Sequence, residues 1–506
     1  MSLRTAIYST TSLVFLASSA AADVTANDIW ADWKSYLSGF GYSVDAQESM
    51  SGDTLTVTDL NMTVPMPEGT GSFAITLSSI DFVENGDGTV DVVFPEVMPM
   101  VFAGKGPEDE LVKGSIEHTT KNMKMRASGV PDQVTYTYTA DQLGMALTEL
   151  TVDGDALPMD ALKAEFVSNN VSGTSVMEPG ALRKIVQEMT LGESTYQVNF
   201  QAPDSSDGVV VNGKIASMAF SGETLIPEAI DPQNMADAMN KGFAVNGGFS
   251  YTGSTAEFAV TDGGDTMGGS SSAASAQINV AMNKDALEYT GGSKDTTLNI
   301  MGGEIPLPIA VNFGEVAFKL LMPVAKAEEP SDFAFGLTLG DFETSEDLWS
   351  MLDPGKVLPR DPATIAIDLT GKAKMLFDFF DPEQMQAVEN GETVPAELNA
   401  VTLNKLLLSI AGAQLSGTGD FTFDNSDLET FDGMPKPTGG IDLSLLGGNG
   451  LMDKLVQMGL LPQEQAMGAR MMMGLFARPG EGEDSLTSKI EINAEGHILA
   501  NGQRIQ

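Results

Sequence analysis

The stretch Gly52-Asp-Thr-Leu-Thr-Val-Thr-Asp-Leu-Asn-Met-Thr-Val-Pro65 places apolar side chains at every second position and then changes phase once. Leu55 and Val57 fall on odd positions, whereas Leu60, Met62 and Val64 fall on even ones. A β-strand presents one face at every second residue, so the slip at Thr58-Asp59 turns the strand over unless a bulge or bend absorbs one residue. The pattern returns in Ile75-Thr-Leu-Ser-Ser-Ile80-Asp-Phe82, in Met145-Ala-Leu-Thr-Glu-Leu150-Thr-Val152 and in Val401-Thr-Leu-Asn-Lys-Leu406-Leu-Leu408. The fold class expected is therefore mainly β: elongated, curved antiparallel sheets of bulged strands, with a minority of peripheral helices.

Working outward to the start of the chain, Arg4, an apolar run over residues 6–17 and Ala20-Ala21-Ala22 have the order of a secretory signal. Cleavage is expected after Ala22 and a periplasmic location follows. No later stretch reaches the ~20 apolar residues of a membrane-spanning helix, so no transmembrane anchor is expected in the mature chain. There is no cysteine to lipidate or to form a disulfide. The 27 Lys and Arg against 70 Asp and Glu give a formal charge of −43, a surface that repels phosphate backbones and excludes nucleic acid as a partner. A hydrophobic content of 42% combined with strand patterning argues for a folded chain despite that charge.

Thr25-Ala-Asn-Asp28 resembles a capping box and opens a helix with Ile29, Trp30, Trp33, Tyr36 and Leu37 at three-to-four spacing, ended by Gly39 and Gly41. Its aromatic face is read as a plug docked on the sheet, with an exposed partner-binding face as the alternative. Glu84-Asn-Gly-Asp-Gly-Thr89 reads as a hairpin loop, and it fails as a calcium loop because Val90 stands where glycine is required. Further strands are expected over 134–140, with Asp141-Gln142 turning the chain into the third module copy, and over 194–201, 208–220 and 242–260. The Gly/Ser/Ala-rich run 262–275 reads as a loop. Strand-like segments follow at 366–380, 417–423 and 440–445, with a final hairpin of 485–493 and 497–505. Helices are expected over 232–241, 345–352, 382–389, 451–458 and 462–478. Helix-then-strand units near residues 27, 232 and 345 suggest a signal at 1–22, a β-rich region 23–343 with a sub-boundary near 230, and a second region 344–506.

The chemistry available is sparse. His118 and His497 are the two histidines, and no nucleophile elbow, zinc-binding pair or phosphate loop occurs. No catalytic residue, metal site or cofactor is assigned, and an enzyme is not expected; carboxylate-based hydrolysis is the remaining catalytic alternative. Lys113, Lys121, Lys124 and Arg126 make the one basic segment, read first as partners for acidic neighbours and second as a patch for an anionic ligand. Among 29 methionines, Met467, Met471, Met472 and Met473 fall in the last helix, where core packing is the first reading and lining of an apolar ligand cavity the second.

The tryptophan helix running into Gly41-Tyr42, the strand over 53–66, Leu348-Trp-Ser-Met-Leu-Asp-Pro-Gly355 with Leu358-Pro-Arg-Asp-Pro-Ala363, and the closing Gly459-Leu-Leu and Gly496-His-Ile-Leu-Ala-Asn-Gly502 together resemble envelope proteins grouped as domain of unknown function 2125. That resemblance implies no activity and carries over no catalytic residue. More distantly the chain is similar to AsmA-like, lipid-handling envelope proteins built on curved sheets. The expected function is binding or scaffolding of a lipid-like or apolar envelope ligand, with Trp30, Trp33, Met467, Met471 and Met472 as candidate lining or partner residues. The alternative is an assembly factor for an envelope protein.

Overall fold

A computed structural model describes residues 23–506 apart from 40–41, 66–70, 106–109, 160, 203–204, 229, 231–233, 304 and 392. The expected signal, Gly41 and Met66 therefore lie outside the described residues. Twenty-six strands form a single antiparallel sheet, accompanied by six helices among the described residues. Most strands follow one another as a meander, from Ser43–Ser51 beside Thr54–Pro65 to a last two-residue strand at Gln503–Arg504, but Val90–Val93 skips to Lys124–Val130 around the nested pair Val97–Lys105 and Leu111–Lys121. Several long strands are each flanked by two short ones laid end to end, Gln133–Val152 by Leu111–Lys121 and Lys124–Val130 among them. Gly71–Glu84 pairs with Val90–Val93 and Val97–Lys105, and Leu162–Glu178 pairs with Leu182–Leu191 and Ser194–Gln201. The pairing is continuous across residue 230, where Gly208–Pro227 bonds to Ala244–Asp262, and across residue 344, where Ser331–Thr344 bonds to Ala363–Met375.

The phase slip of the opening strand is absorbed at one residue. Asp59 takes φ 52°, in the left-handed region that short polar side chains tolerate. Leu55, Val57, Leu60 and Met62 are consequently all buried on the same face. On the neighbouring strand Asp45 faces Asn61 and Gln47 faces Thr58, so Ala46 alone opposes two residues, which is a bulge. Other module copies slip in the same way: Ser115 pairs with Glu149 but Ile116 with Leu147, and Leu403 pairs with Gly419 but Leu406 with Gly417.

Asp59 has counterparts across the sheet. Asn170, Gly253, Asp295 and Asp341 sit mid-strand at φ 52°, 60°, 48° and 51°. The flanking register places Asp141 across from Asn170, Ala216 and Ala274 across from Gly253, and Gly314 between Asp295 and Asp341. The opposing residues are small where the backbones approach: a Cβ on Gly314 would lie 2.9 Å from that of Asp341, and one on Gly253 3.0 Å from that of Ala216. A transverse crease thus divides the long strands into two halves.

The helices are α1 (Ala26–Gly39), α2 (Met235–Asn240), α3 (Glu346–Leu352), α4 (Pro382–Glu389), α5 (Gly448–Gln457) and α6 (Gln463–Phe476). The capping box of α1 forms with aspartate: Thr25 N donates to Asp28 Oδ2 (3.0 Å) and Asp28 N to Thr25 Oγ1 (3.2 Å). In α4, Asp381 caps the first turn by accepting from the N–H groups of Glu383 and Gln384.

Four readings of the sequence are corrected. Asp141-Gln142 makes no turn, since the strand Gln133–Val152 runs through it and Asn122 Nδ2 binds the Asp141 carboxylate at 2.6 Å. The run 262–275 is not a loop: only Gly263 and Gly264 turn, and Asp265–Met282 is a strand bonded on both sides. Small residues are required there because a Cβ on Gly269 would fall 2.1 Å from the Asn299 carbonyl oxygen. The last helix stops at Phe476, and Arg478-Pro479 pairs in extended form with Leu486 and Thr487. The final strand breaks at Asn501-Gly502, both at positive φ, into two short strands, Ile498–Ala500 and Gln503–Arg504.

Candidate functional site

Directly opposed residues of antiparallel strands project to the same face, so the register identifies what each face carries. From Leu55 one row runs through Phe82, Val92, Met125, Tyr138 and Gly173. It continues through Met189, Phe220, Phe249, Ile278, Gly291 and Phe318. It then passes Leu337, Ile367, Leu406, Gly417 and Leu443. Every member is apolar or glycine. The glycines are roofed by their neighbours: a Cβ on Gly173 would lie 2.5 Å from the Tyr138 ring, on Gly291 2.7 Å from Phe318, and on Gly417 2.6 Å from Leu443. A second row on that face passes through Tyr251, Val316, Leu339, Ile365, Leu408, Leu415, Leu445 and Leu486, interrupted by Ala276 and Ser293. Between these residues along the strands stand Ser250, Thr252, Gln277, Asn279, Thr290 and Lys319, so the opposite face is polar.

The apolar face is covered at its two ends and open between them. At the first end α1 seals it. Trp30 is buried, the Trp33 ring meets Phe82 edge-on at 5.4 Å and stacks on Phe94 at 6.1 Å, and the Trp33 indole N–H donates to the Tyr136 hydroxyl at 2.9 Å. Arg183 holds α1 to the sheet by donating to both oxygens of Asp32. At the far end α6 lies over Leu415, Leu443, Leu445, Leu486 and Ile490 without filling the space. A cavity of about 480 Å³ remains between them, bounded by Met472, Met473 and Phe476 of the helix. In the uncovered middle, Phe220, Ile278, Phe318, Phe335, Ile365 and Leu408 are 39% to 48% exposed.

Residues singled out in the sequence are thereby sorted. Trp30 and Trp33 are spent inside the fold against this chain's own rings. Met472 lines the cavity and Met467 and Met471 face outward; the expected core packing of these methionines is corrected, because all three are exposed. The basic segment does not converge. Lys113 and Lys121 stand at opposite ends of the strand Leu111–Lys121, opposite Thr151 and Gln142, while Lys124 and Arg126 lie on the next strand opposite Thr139 and Thr137. Arg126 forks onto Asp91 at 2.7 and 3.0 Å, and that hydrogen-bonded pairing holds the Asp91 carboxyl below the usual carboxylate range. His118 lies between Met98 and Met145 in the register, its Nδ1 without a partner, and burial pushes its pKa down. No three His, Asp or Glu side chains gather as metal ligands among the described residues. The open middle of the face escaped the sequence reading; its signal is the alternation of large apolar with small or polar residues, as in Phe318-Lys-Leu320 and Phe335-Gly-Leu337-Thr-Leu339.

Beside this face, α3 and the segment after it form a self-braced unit. Ser345 caps α3, and the buried Asp353 carboxylate accepts from Val357 N (3.0 Å), Leu358 N (2.8 Å) and Arg360 Nη1 (2.8 Å). The Arg360 guanidinium lies 4.3 Å from the Trp349 ring centre. These residues carried part of the family resemblance, and a profile of that family, described as uncharacterised proteins conserved in bacteria, matches residues 246–499. The chain belongs to the domain of unknown function 2125 family. The family match takes in the open middle of the apolar face from Phe249 onward, the Asp353 unit and both C-terminal helices, while Phe220, α1 and the opening strands lie outside it. No curated protein matches the chain.

Proposed function

We propose that the apolar face holds the hydrocarbon chains of a lipid-like ligand in the bacterial envelope, the chain being exported to the periplasm by its N-terminal signal. The observation that supports this reading is one uninterrupted apolar row that no helix covers in its middle, where Phe220, Ile278 and Phe318 remain 39% to 43% exposed. Exposed apolar patches beyond a few hundred Å² are uncommon on soluble proteins and mark binding surfaces. From Phe220 to Leu406 the row crosses eight strands, a span of about 34 Å at ~4.8 Å per strand. That is close to the ~30 Å hydrocarbon thickness of a bilayer, which two acyl chains fill end to end. The formal charge of −43 disfavours anionic headgroups and points to a neutral or zwitterionic lipid.

Native mass spectrometry of protein taken from its own periplasm, followed by organic extraction, tests the reading. A defined lipid in fixed ratio is expected, with its loss in Phe318→Asp. An apo mass that refuses added lipid would overturn it and favour an assembly role with a protein partner.

A further inference from the structure

We infer that the outer face of α6 is where this protein docks on a lipid surface of zwitterionic headgroups, an inference that rests on the reading of the apolar face as a lipid site. The strand order puts α3, the turn at Ala411-Gly412 and the α5–α6 pair at one end of the sheet. A Cβ on Gly412 would meet Pro359 at 3.3 Å and the Lys454 ammonium at 3.8 Å, so the segment after α3 and helix α5 flank the same turn. At this end Met351, Leu352, Leu460, Met467, Met471 and Leu475 are 59% to 67% exposed.

Helix α6 is apolar on two sides. Met473 and Phe476 bound the cavity, whereas Met467, Met471 and Leu475, spaced at i, i+4 and i+8, point away from the sheet. A helix needs one apolar stripe to pack on its own core, so a second stripe turned away from the sheet calls for a further apolar partner. Two glycines of α6, Gly468 and Gly474, have nothing within 4 Å of an added Cβ, so no close packing calls for them. From Ala466 to Ala477 the one charge is Arg470, already neutralised by Asp453 at 2.6 Å. Interfacial helices that bind anionic membranes carry rows of Lys and Arg on the polar side. Here that row is missing and the whole protein is acidic, so the surface matched by this helix is zwitterionic. The same helix would then touch the bilayer with one side and roof the lipid cavity with the other.

The test uses the full mature chain in flotation with phosphatidylcholine vesicles, beside vesicles containing one third phosphatidylglycerol. Loading is measured separately with a fluorescent short-chain phosphatidylcholine kept below its micelle concentration. Wild type is expected to float with phosphatidylcholine and less with the anionic vesicles. The triple variant Met467→Glu, Met471→Glu, Leu475→Glu should lose at least tenfold in vesicle binding while loading the monomeric lipid within twofold of wild type. Met351→Glu with Leu352→Glu, remote from the cavity, gives an independent reduction. Undiminished flotation of the triple variant overturns the inference, as does wild type that loads monomeric lipid but ignores vesicles. A wild-type dimer that the triple variant splits would assign the face to self-association and likewise overturn it. Flotation without loading would instead remove the lipid-site reading and leave α6 as a docking helix.

Discussion

The indole N–H of Trp33 donates to the phenol oxygen of Tyr136 at 2.9 Å, across 103 positions of chain. Burial pushes the Tyr136 phenol well above its ordinary pKa, so the acceptor stays neutral across the accessible pH range. Tyr136→Phe strands the indole N–H and should cost about 1 to 3 kcal/mol. In the double variant with Trp33→Phe the penalty should fall short of the sum of the singles. Urea titrations followed by near-ultraviolet circular dichroism check both; strict additivity would mean that the bond contributes nothing.

Arg183 and Asp32 form a two-pronged ion pair of 2.6 and 2.9 Å with side chains 9% and 12% exposed. Asp32→Ala leaves a buried guanidinium and should destabilise by about 3 kcal/mol, whereas Asp32→Leu with Arg183→Met should recover most of that loss. Thermal melts of the three proteins decide it.

Asp353 supplies a pH dependence. Burial alone would raise its carboxyl, but the hydrogen bonds from Val357, Leu358 and Arg360 together hold it below the ordinary carboxylate range. Its folded-state pKa is thus lower than that of the unfolded chain. The stability it contributes is complete above the unfolded value and is lost as pH falls through the depressed one. The stability gap between wild type and Asp353→Asn should stay level from pH 7 down to about 4 and narrow below it. A gap that stays constant to pH 2 would remove Asp353 as the titrating group.

The crease makes a backbone prediction. At φ 52°, Asp59 pays part of the left-handed penalty that a β-branched residue would pay in full. Asp59→Val should lose about 1 to 2 kcal/mol, while Asp59→Gly should stay within about 1 kcal/mol of wild type. Denaturation midpoints of the two variants measure the difference, and equal midpoints would contradict the assigned conformation.

Gly291 lies under the Phe318 ring in the open part of the apolar face. Gly291→Val must lift that ring, ease the strand away from the Gln277 carbonyl oxygen 2.8 Å from the new Cβ, and raise the floor of the proposed lipid site. It should reduce lipid uptake several-fold with little change in the far-ultraviolet circular dichroism spectrum. Uptake equal to wild type would place the ligand elsewhere.

Much of this architecture is legible locally. The slip at Thr58-Asp59 signals a bulge because strand periodicity is two, and Thr25 with Asp28 signals a helix start because both hydrogen bonds close within three residues. The strand over 194–201 and the helix over 382–389 are likewise where the sequence places them. Where the reading failed, distant partners decided the outcome. The first half of Asp265–Met282 is poor in strand formers, yet the strands on either side supply its hydrogen bonds and leave no room for a side chain at Gly269.

By itself, then, the sequence determined an antiparallel sheet of phase-slipped strands, the starts of α1, α3, α4 and α6 and a strongly acidic surface, since each depends on neighbours within a few residues or on a sum over the chain. Only the tertiary structure decided that the slips line up as one crease, that Trp30 and Trp33 are enclosed, and that Met467 and Met471 face outward. The physical reason is that alternation tells which residues share a face of a strand. What covers that face depends on the register of strands and helices far apart in the chain.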